Sequence, residues 1–272
     1  MKLGLYLRNM GPQSTRETLL ECARAAEAAG VDDLWVADHV AIPPDQAEGS
    51  GGRYLDPLAT LAFLAAATTR IGLGAGALVI PYRPALPTAK WIATIQELSG
   101  GRLRLGVGVG WMEAEFRALG VARERRGAIT DATLGLLHRA FSADEVEEHG
   151  QRFLFLPRPP RPPIFVGGSG PHAHRRAVRY GDGWMPAGGD PVKLAPEIKE
   201  LRELFAAAGK PPPEVVALTS LPLRDWRQAA DHAQSLAAAG VTQLVHAWRY
   251  ADAAEFARVA EVVAAKLRPT LP

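Results

Sequence analysis

The sequence is poor in cysteine: Cys22 is its only one, and this excludes an intrachain disulfide framework. It also lacks any run of about 18 apolar residues, which is the length that a helix needs to cross a membrane. The chain begins MKLGLYLR, without the charged, apolar and cleavage regions of a signal peptide. We therefore expect a cytoplasmic protein with no membrane partner. Cys22 lies among Leu19, Leu20, Ala23 and Ala26, a spacing that predicts the buried face of a helix.

An excess of charge of either sign is also missing. The 31 basic and 29 acidic residues give a formal net charge of +2 and are spread along all 272 residues. A nucleic-acid partner is therefore not expected, because binding a phosphate backbone requires a concentrated basic surface. The 47% hydrophobic and 22% charged residues are typical of a soluble globular protein. The remaining partners are a small-molecule substrate and, as an open alternative, a second copy of the chain in a homodimer.

Several catalytic motifs are absent as well. The seven histidines show no HExxH pattern, and the chain has neither a G-x-S-x-G elbow nor a Walker loop. His172 and His174 form an H-x-H, but they fall in the first turn of a predicted helix, where residues two apart point to different sides. We therefore expect no metal site and no covalent serine or cysteine mechanism.

What the chain does have is a regular alternation of short apolar strands with amphipathic helices. Because parallel strands need a crossover connection and eight complete units can close on themselves, this alternation predicts a single (β/α)8 barrel domain over residues 1–272. An open doubly wound sheet is the alternative. The strands are predicted at about residues 2–8, 32–38, 70–80, 103–110, 163–168, 183–188, 215–221 and 243–249.

Two segments interrupt this rhythm. The stretch FSADEVEEHGQRFLFLPRPPRPP predicts a hairpin around His149 and Gly150, so we expect an insertion over residues 142–163, between barrel units four and five. The other long break, residues 39–56, follows a strand and carries Gly, Ser and Pro. In barrel enzymes such loops build the active site, and this one is a candidate lid.

The chemistry of a barrel belongs at the carboxyl ends of its strands. The fifth predicted strand ends in VGGSGP directly before a helix, an arrangement that suits an anionic group such as phosphate, although an ordinary glycine-containing turn is equally consistent with it. The candidates at the other strand ends are Arg8, Asn9, Asp38, His39, Ala77, Leu78, Gly110 and Trp111.

Glycine recurs at alternate positions in two neighbouring strands, RIGLGAGALV and LRLGVGVGW. Alternate residues of a strand share one face, so the backbone of that face is bare in both strands. This leaves two interpretations open. Either a flat ring lies against the bare backbone, or the small residues relieve crowding inside the barrel.

His39 follows an acidic residue at the end of the second predicted strand and precedes a proline-containing loop. An imidazole there is suited to carrying a proton, donating a hydrogen bond or stacking on a cofactor. A purely capping role is the alternative.

Three segments, LWVADHVAIP, ELSGGRLRLGVGVGWMEAEF and PPIFVGGSGPHAHRRAVRYGDGWMP, appear in this order along the chain. Together they resemble the bacterial luciferase-like superfamily, and the DHV, GVGVGWxxxEF and GDGWxP patterns resemble its branch of oxidoreductases that use the deazaflavin coenzyme F420. The resemblance implies a barrel whose mouth holds a tricyclic ring, with a phosphate on the loop after strand five.

The resemblance also implies particular site residues. His39 would be catalytic, in contact with the ring or the substrate, and a non-prolyl cis peptide would fall at Gly76 and Ala77. Some deazaflavin enzymes have a glutamate proton donor where this chain has Trp111, so the donor is sought elsewhere: Glu113 and Glu115 are expected to be structural, with a donor role as the alternative. The cofactor-binding residues that it implies are Asp38, Gly76, Ala77, Leu78, Gly108, Gly110, Trp111, Gly167, Gly168, Ser169, Gly170 and Trp184.

The function expected from these observations is hydride transfer between coenzyme F420 and an unidentified small organic substrate. An FMN-dependent luciferase-like monooxygenase is the first alternative. A flavin-binding protein without catalytic activity is the second, because the strand-four glutamate is missing.

Overall fold

Eight parallel strands close into a barrel in the computed structural model, which describes residues 1–272. Around the barrel the order is β1, β10, β9, β8, β7, β4, β3 and β2, so that strands neighbouring in the chain also pair in space. The (β/α)8 prediction is confirmed, and the open sheet is wrong because β1 pairs with β10. The strands are β1 (Lys2–Tyr6), β2 (Asp33–Val36), β3 (Gly72–Val79), β4 (Leu103–Gly108), β5 (Glu145–Glu148), β6 (Gln151–Leu154), β7 (Ile164–Gly167), β8 (Gly183–Met185), β9 (Glu214–Thr219) and β10 (Gln243–His246).

Nine α-helices connect the strands and surround the barrel. Thr15 caps α1 by accepting a hydrogen bond from the N–H of Thr18, and Asp56 caps α2 in the same way with the N–H of Ala59. None of the nine is both long and apolar enough to cross a bilayer. The helices are α1 (Arg16–Ala28), α2 (Pro57–Ala67), α3 (Ala85–Leu98), α4 (Glu113–Ala118), α5 (Arg126–Ser142), α6 (His172–Tyr180), α7 (Pro191–Ala207), α8 (Trp226–Ala239) and α9 (Ala253–Val262).

The hairpin of β5 and β6 lies between α5 and β7, as the sequence predicts, and does not join the barrel. Its two strands are antiparallel, with Glu145 opposite Leu154. His149 and Gly150 form the turn with φ of 50° and 77°. Most barrel strands are shorter than the sequence predicts, because the residues after their last paired positions leave the sheet and form the mouth.

Side chains fill the barrel interior in layers. At the amino-terminal end of the strands, Asp33 accepts hydrogen bonds from Arg104 and Gln243, which satisfies this buried carboxylate. Above this polar layer lies a cluster of mostly large side chains from six consecutive strands of the barrel, namely Tyr6, Trp35, Phe165, Met185, Val216 and Val245. A separate core of 56 buried residues joins the outside of the barrel to its helices, and Cys22 is part of it, as predicted.

Candidate active site

At the carboxyl ends of three neighbouring strands, the barrel presents backbone instead of large side chains. Ala77 on β3, Gly108 on β4 and Gly167 on β7 are half-buried. A Cβ added to Gly108 would lie 3.5 Å from Cβ of Ala77, and one added to Gly167 would lie 3.7 Å from the same atom. These three residues form a continuous surface no higher than a methyl group, which we call the floor. A floor of this kind accepts a flat ring.

The peptide bond between Gly76 and Ala77 is cis, at the position that the resemblance implies. Here β3 gains one residue relative to β4, since its register shifts between Ala75 and Leu78. The side chain of Leu78 is fully buried in the core between barrel and helices. Leu78 therefore offers only its backbone to the mouth, whereas Gly76 and Ala77 remain partly open.

Gly74 on β3 and Gly106 on β4, which lie nearer the amino-terminal ends of their strands than the floor does, have a different role. A Cβ on Gly74 would lie 2.3 Å from Cδ2 of Trp35, and one on Gly106 would lie 2.9 Å from Cε of Met185. Gly74 makes room for the Trp35 ring inside the barrel, and Gly106 makes room for Met185 and for the carbonyl oxygen of Ala75, which would lie 2.4 Å from the added Cβ. Relief of crowding is thus the reason for Gly74 and Gly106, whereas Gly108 leaves the mouth bare, and a ring lying against it stays a prediction.

His39 reaches the mouth from the end of β2 and is held by a carboxylate. Its Nδ1 lies 2.9 Å from Oε2 of Glu115, and its side chain is 18% exposed. Glu115 belongs to α4 and is completely buried. Its oxygens also accept hydrogen bonds from the N–H groups of Val40 (2.6 Å) and Ala41 (3.0 Å) and from the hydroxyl of Tyr82 (2.8 Å).

These contacts determine the ionisation state of Glu115. Burial opposes its charge, but the N–H groups of Ala41 and Val40, the Tyr82 hydroxyl and His39 outweigh burial and lower the pKa of Glu115. An ionised carboxylate only accepts hydrogen bonds, so Nδ1 of His39 must carry the proton that it shares with Glu115. The other ring nitrogen, Nε2, is left free to exchange a proton at the mouth.

Aromatic rings surround His39. The ring of Tyr54 meets it edge-on at a centroid distance of 5.0 Å, and that of Trp111 at 6.1 Å. Trp111 is 65% exposed. The turn that presents it requires Gly110, whose φ is +78° and whose added Cβ would lie 2.7 Å from Val79.

Asp38, next to His39, is buried, and donors of the protein itself occupy its carboxylate. Its carboxylate accepts two hydrogen bonds from Arg83 (2.6 and 2.8 Å) and one from the N–H of Val79 (2.8 Å). Arg83 also contacts Asp56 at 2.7 Å. Asp38 therefore fastens the end of β2 to the end of β3, and a direct contact between Asp38 and a cofactor stays a prediction.

The turn after β7 has the features of an anion site. Gly168 has a φ of +114°, Ser169 is exposed, and the bond between Gly170 and Pro171 is cis. No side chain caps α6, which begins at His172, so the N–H groups of its first turn are unoccupied by the protein. With the positive end of the helix dipole, these groups suit a phosphate.

Trp184 supports this turn from beneath instead of facing the mouth. It is 1% exposed, and its Nε1 donates a hydrogen bond of 2.7 Å to the carbonyl of Gly168. Its ring packs edge-on against His174 at 4.9 Å. The sequence predicts a direct cofactor contact for Trp184, whereas the structure gives it a contact with the loop.

Asn9, at the end of β1, closes the loop that covers this side of the mouth. Its Nδ2 donates to the carbonyls of Ala37 and Leu55, both at 2.8 Å, and its Oδ1 accepts from the N–H of Ala37 at 3.0 Å. The N–H of Leu55 also donates to the carbonyl of Asn9, at 2.9 Å. Both ends of the segment from residue 38 to residue 54 are thus held at one point.

Sequence reasoning missed Tyr54 and Tyr82, and for Glu115 it offered a proton donor or a structural residue without identifying His39 as its partner. The available signal was the glutamate in WMEAEF, four residues after the tryptophan, which faces inward on a short helix. For the tyrosines, no local pattern indicates that they contact the same histidine and carboxylate.

The family model for luciferase-like monooxygenases matches residues 1–270. The chain belongs to this family. Its luciferase-like resemblance is thereby confirmed, and members of the family are oxidoreductases and monooxygenases.

Relatives of the luciferase-like chain use two cofactors. The F420-dependent hydroxymycolic acid dehydrogenase of Mycobacterium tuberculosis is 32% identical over 184 residues, 64% of this chain and 49% of that enzyme. The FMNH2-dependent dimethylsulfone monooxygenase of Pseudomonas putida is 32% identical over 157 residues, 54% of this chain and 43% of that enzyme. An uncharacterized protein of Mycobacterium tuberculosis is 32% identical over 267 residues, 90% of this chain and 92% of that protein.

Solved structures share the whole fold. An F420-dependent secondary alcohol dehydrogenase in complex with an F420–acetone adduct has a TM-score of 0.81 and 19% identity, covering 100% of this chain and 99% of that chain. The oxygenating constituent of 3,6-diketocamphane monooxygenase from Pseudomonas putida, in complex with FMN, has a TM-score of 0.81 and 14% identity with the same coverage. At these identities the likeness establishes the luciferase-like barrel and leaves the cofactor open.

Proposed function

We propose that this protein is an oxidoreductase that transfers a hydride between coenzyme F420 and a small organic substrate, with His39 as its catalytic residue. The observation that carries the proposal is the contact between His39 and Glu115 beside the floor. A buried, ionised carboxylate fixes the imidazole so that Nε2 is the nitrogen available at the mouth. A histidine with a purely capping role would not need such a partner.

The residues of the mouth fit a deazaflavin. The floor of Ala77, Gly108 and Gly167 would lie against the ring, and the turn of Gly168, Ser169 and Gly170, with the first turn of α6, would hold the phosphate. When bound, the deazaflavin would supply the chemistry of hydride transfer, in which two electrons and one proton move together. The protein positions the ring and the substrate, offers a surface free of large side chains and provides one exchangeable proton.

His39 provides that proton. When the substrate is oxidised, Nε2 accepts the proton that the substrate releases, and the negative charge of Glu115 stabilises the imidazolium that forms. When the substrate is reduced, the same nitrogen returns the proton. Edge-on contacts of the Tyr54 and Trp111 rings with the imidazole restrict its movement.

Two observations favour F420 over FMN. The DHV, GVGVGW and GDGW patterns resemble the deazaflavin branch, and at equal identity the match to the F420-dependent dehydrogenase is longer than the match to the FMNH2-dependent monooxygenase. The FMN-dependent monooxygenase is kept as the second candidate because that relative is also 32% identical. The His39 and Glu115 pair counts against a protein without catalytic activity, since no binding role requires it.

Anaerobic titration with oxidised F420 and, separately, oxidised FMN tests the proposal. We expect F420 to bind at least about tenfold more tightly, because its longer and more anionic tail reaches beyond the ring pocket. The bound, reduced F420 should not consume oxygen rapidly. Tighter binding of FMN, together with substrate-dependent oxygen uptake by its reduced form, would establish the monooxygenase instead.

The variant His39→Ala separates catalysis from binding. We expect turnover with F420 to fall by more than about tenfold while the melting temperature stays nearly constant. Normal turnover with a large loss of stability would show that His39 only caps the strand end.

A further inference from the structure

Arg8 is a buried cation without an acidic partner. Its side chain follows β1, and the residue is only 6% exposed. Its Nε is buried and has no hydrogen-bond partner, while Nη2 donates to the carbonyl of Gly49 at 3.1 Å. A guanidinium stays protonated in proteins, and burying its charge without an opposite charge is unfavourable. An anion that completes this site is therefore expected.

A second arginine approaches the same point. A Cβ added to Gly49 would lie 3.1 Å from Nη2 of Arg249, whose side chain comes from the segment after β10. None of the ion pairs of the molecule includes Arg8 or Arg249, although Glu48 is the neighbour of Gly49 in sequence. Two guanidinium groups without a carboxylate partner thus lie next to the same glycine.

The position of Arg8 distinguishes this site from the turn of Gly168, Ser169 and Gly170, which we call the phosphate turn because it is proposed to hold the phosphate. β1 is four strands away from β7 in either direction around the barrel, so Arg8 and the turn after β7 lie on opposite sides of the mouth. β2, which carries His39, is the direct neighbour of β1. Tyr54, whose ring contacts His39, pairs through its backbone with Met10, two residues after Arg8.

We propose that Arg8 binds an oxyanion group of the substrate, a carboxylate in the simplest case, with Arg249 at the entrance to the same site. The planar guanidinium matches a carboxylate with two parallel hydrogen bonds. The inference rests on the proposed function, because it takes His39 as the group that meets the reacting carbon. A substrate held in this way has its anionic end at Arg8 and its reacting end between His39 and the floor.

Benzoate and benzamide are suitable probes, because they have nearly the same shape and differ in charge. Calorimetric titration of the cofactor-free protein should show benzoate binding at least about tenfold more tightly than benzamide. Arg8→Met should abolish this preference. Arg8→Lys should retain only part of it, since an ammonium keeps the positive charge but lacks the two parallel N–H donors of a guanidinium. Arg258→Met, on an exposed position of α9, is the matched control and should change nothing.

Two further measurements keep the outcomes distinct. Benzoate should bind Gly168→Asp as it binds the wild type; loss of benzoate binding there would mean that the probe occupies the phosphate turn, and would overturn the proposal. Equal binding of the two probes by the wild type, or an unchanged preference in folded Arg8→Met, would overturn it as well. If Arg8→Met weakens F420 binding as much as Gly168→Asp does, Arg8 serves the cofactor and the substrate assignment is wrong.

Failure of the proposed function has a different signature. If the wild type binds no F420 while benzoate binding still depends on Arg8, the oxyanion site is supported and the assignment of F420 as the cofactor is wrong. Melting temperatures of all variants verify that each one folds. Arg8→Met should melt no lower than the wild type, because it removes an uncompensated buried charge.

Discussion

Nδ1 of His39 lies 2.9 Å from Oε2 of Glu115, although 76 positions separate the two residues in sequence. The contact joins the end of β2 to α4, so the strand-end histidine takes its orientation from a different barrel unit. Because Glu115 is also held by two backbone N–H groups and by Tyr82, its position does not depend on His39. The carboxylate orients the imidazole, and in the proposed function the imidazole acts at the mouth.

Replacing Glu115 by Gln should reverse the tautomer of His39. The carboxamide keeps an acceptor for the N–H groups of Val40 and Ala41 but presents an NH2 group to Nδ1, which must then accept a hydrogen bond. We expect turnover to fall at least about tenfold, with a smaller change in substrate affinity. Steady-state kinetics measures both effects. Tyr82→Phe is the control: it removes one hydrogen bond from the same carboxylate without affecting the tautomer, so it should lower turnover much less.

Two glycine substitutions should separate packing from binding. Gly74→Ala places a methyl group 2.3 Å from the Trp35 ring, so unfolding free energy should drop by about 1–3 kcal/mol. Gly108→Ala places one 3.5 Å from Ala77, an ordinary contact, so stability should change little while cofactor affinity declines. Chemical denaturation and cofactor titration on both variants provide the test. Equal losses of stability would refute the division of the strand glycines into two levels.

The phosphate turn can be probed at Gly168, whose φ of +114° disfavours any side chain. Gly168→Ala and Gly168→Asp should each lower the unfolding free energy by about 1–2 kcal/mol for this reason. Only the aspartate adds a negative charge, so it alone should greatly weaken cofactor binding. If the two variants bind F420 with the same affinity, the turn does not hold its phosphate.

Acid should destabilise the protein through Glu27, at the opposite end of the barrel. Burial opposes its charge, but the N–H groups of Arg70, Ile71 and Thr69 lower its pKa to about 2. Its folded pKa lies below its unfolded value of 4.5, so its stabilisation is complete above about pH 4.5 and is lost as the pH falls toward 2. Glu27→Gln should flatten the dependence of unfolding free energy on pH in this window. Glu21→Gln, an exposed residue of the same helix, should leave it unchanged.

The barrel and the location of His39 were predictable because both follow from local patterns. Alternation of strands and helices determines which strand ends meet, and DHV stands at one of those ends. The hairpin over β5 and β6 was equally local, since His149 and Gly150 supply the two left-handed turn positions.

The rest depends on contacts across the barrel that no local pattern contains. Gly74 and Gly108 look alike in sequence. Whether a strand glycine faces Trp35 or the open mouth is decided only in the closed barrel, by which residue of the other strands lies at the same level along the barrel axis. The direction of Trp184 depends on which of the three residues of β8 point into the barrel. A strand of three residues is too short to show an alternation of apolar and polar positions from which this could be predicted. For Glu115, the partner lies 76 positions away.

Asn9 allows the loop between residues 38 and 54 to vary independently of the barrel. Because its single carboxamide and its backbone tie both ends of that loop to β1, the residues between them can be exchanged or lengthened without altering the position at which the barrel strands end. The cost of closing a longer loop grows only slowly with its length. We therefore expect a different set of substrates to become accessible by exchanging residues 42–48 alone, provided that Asn9, the N–H groups of Val40 and Ala41 that hold Glu115, and the carbonyl of Gly49 are retained.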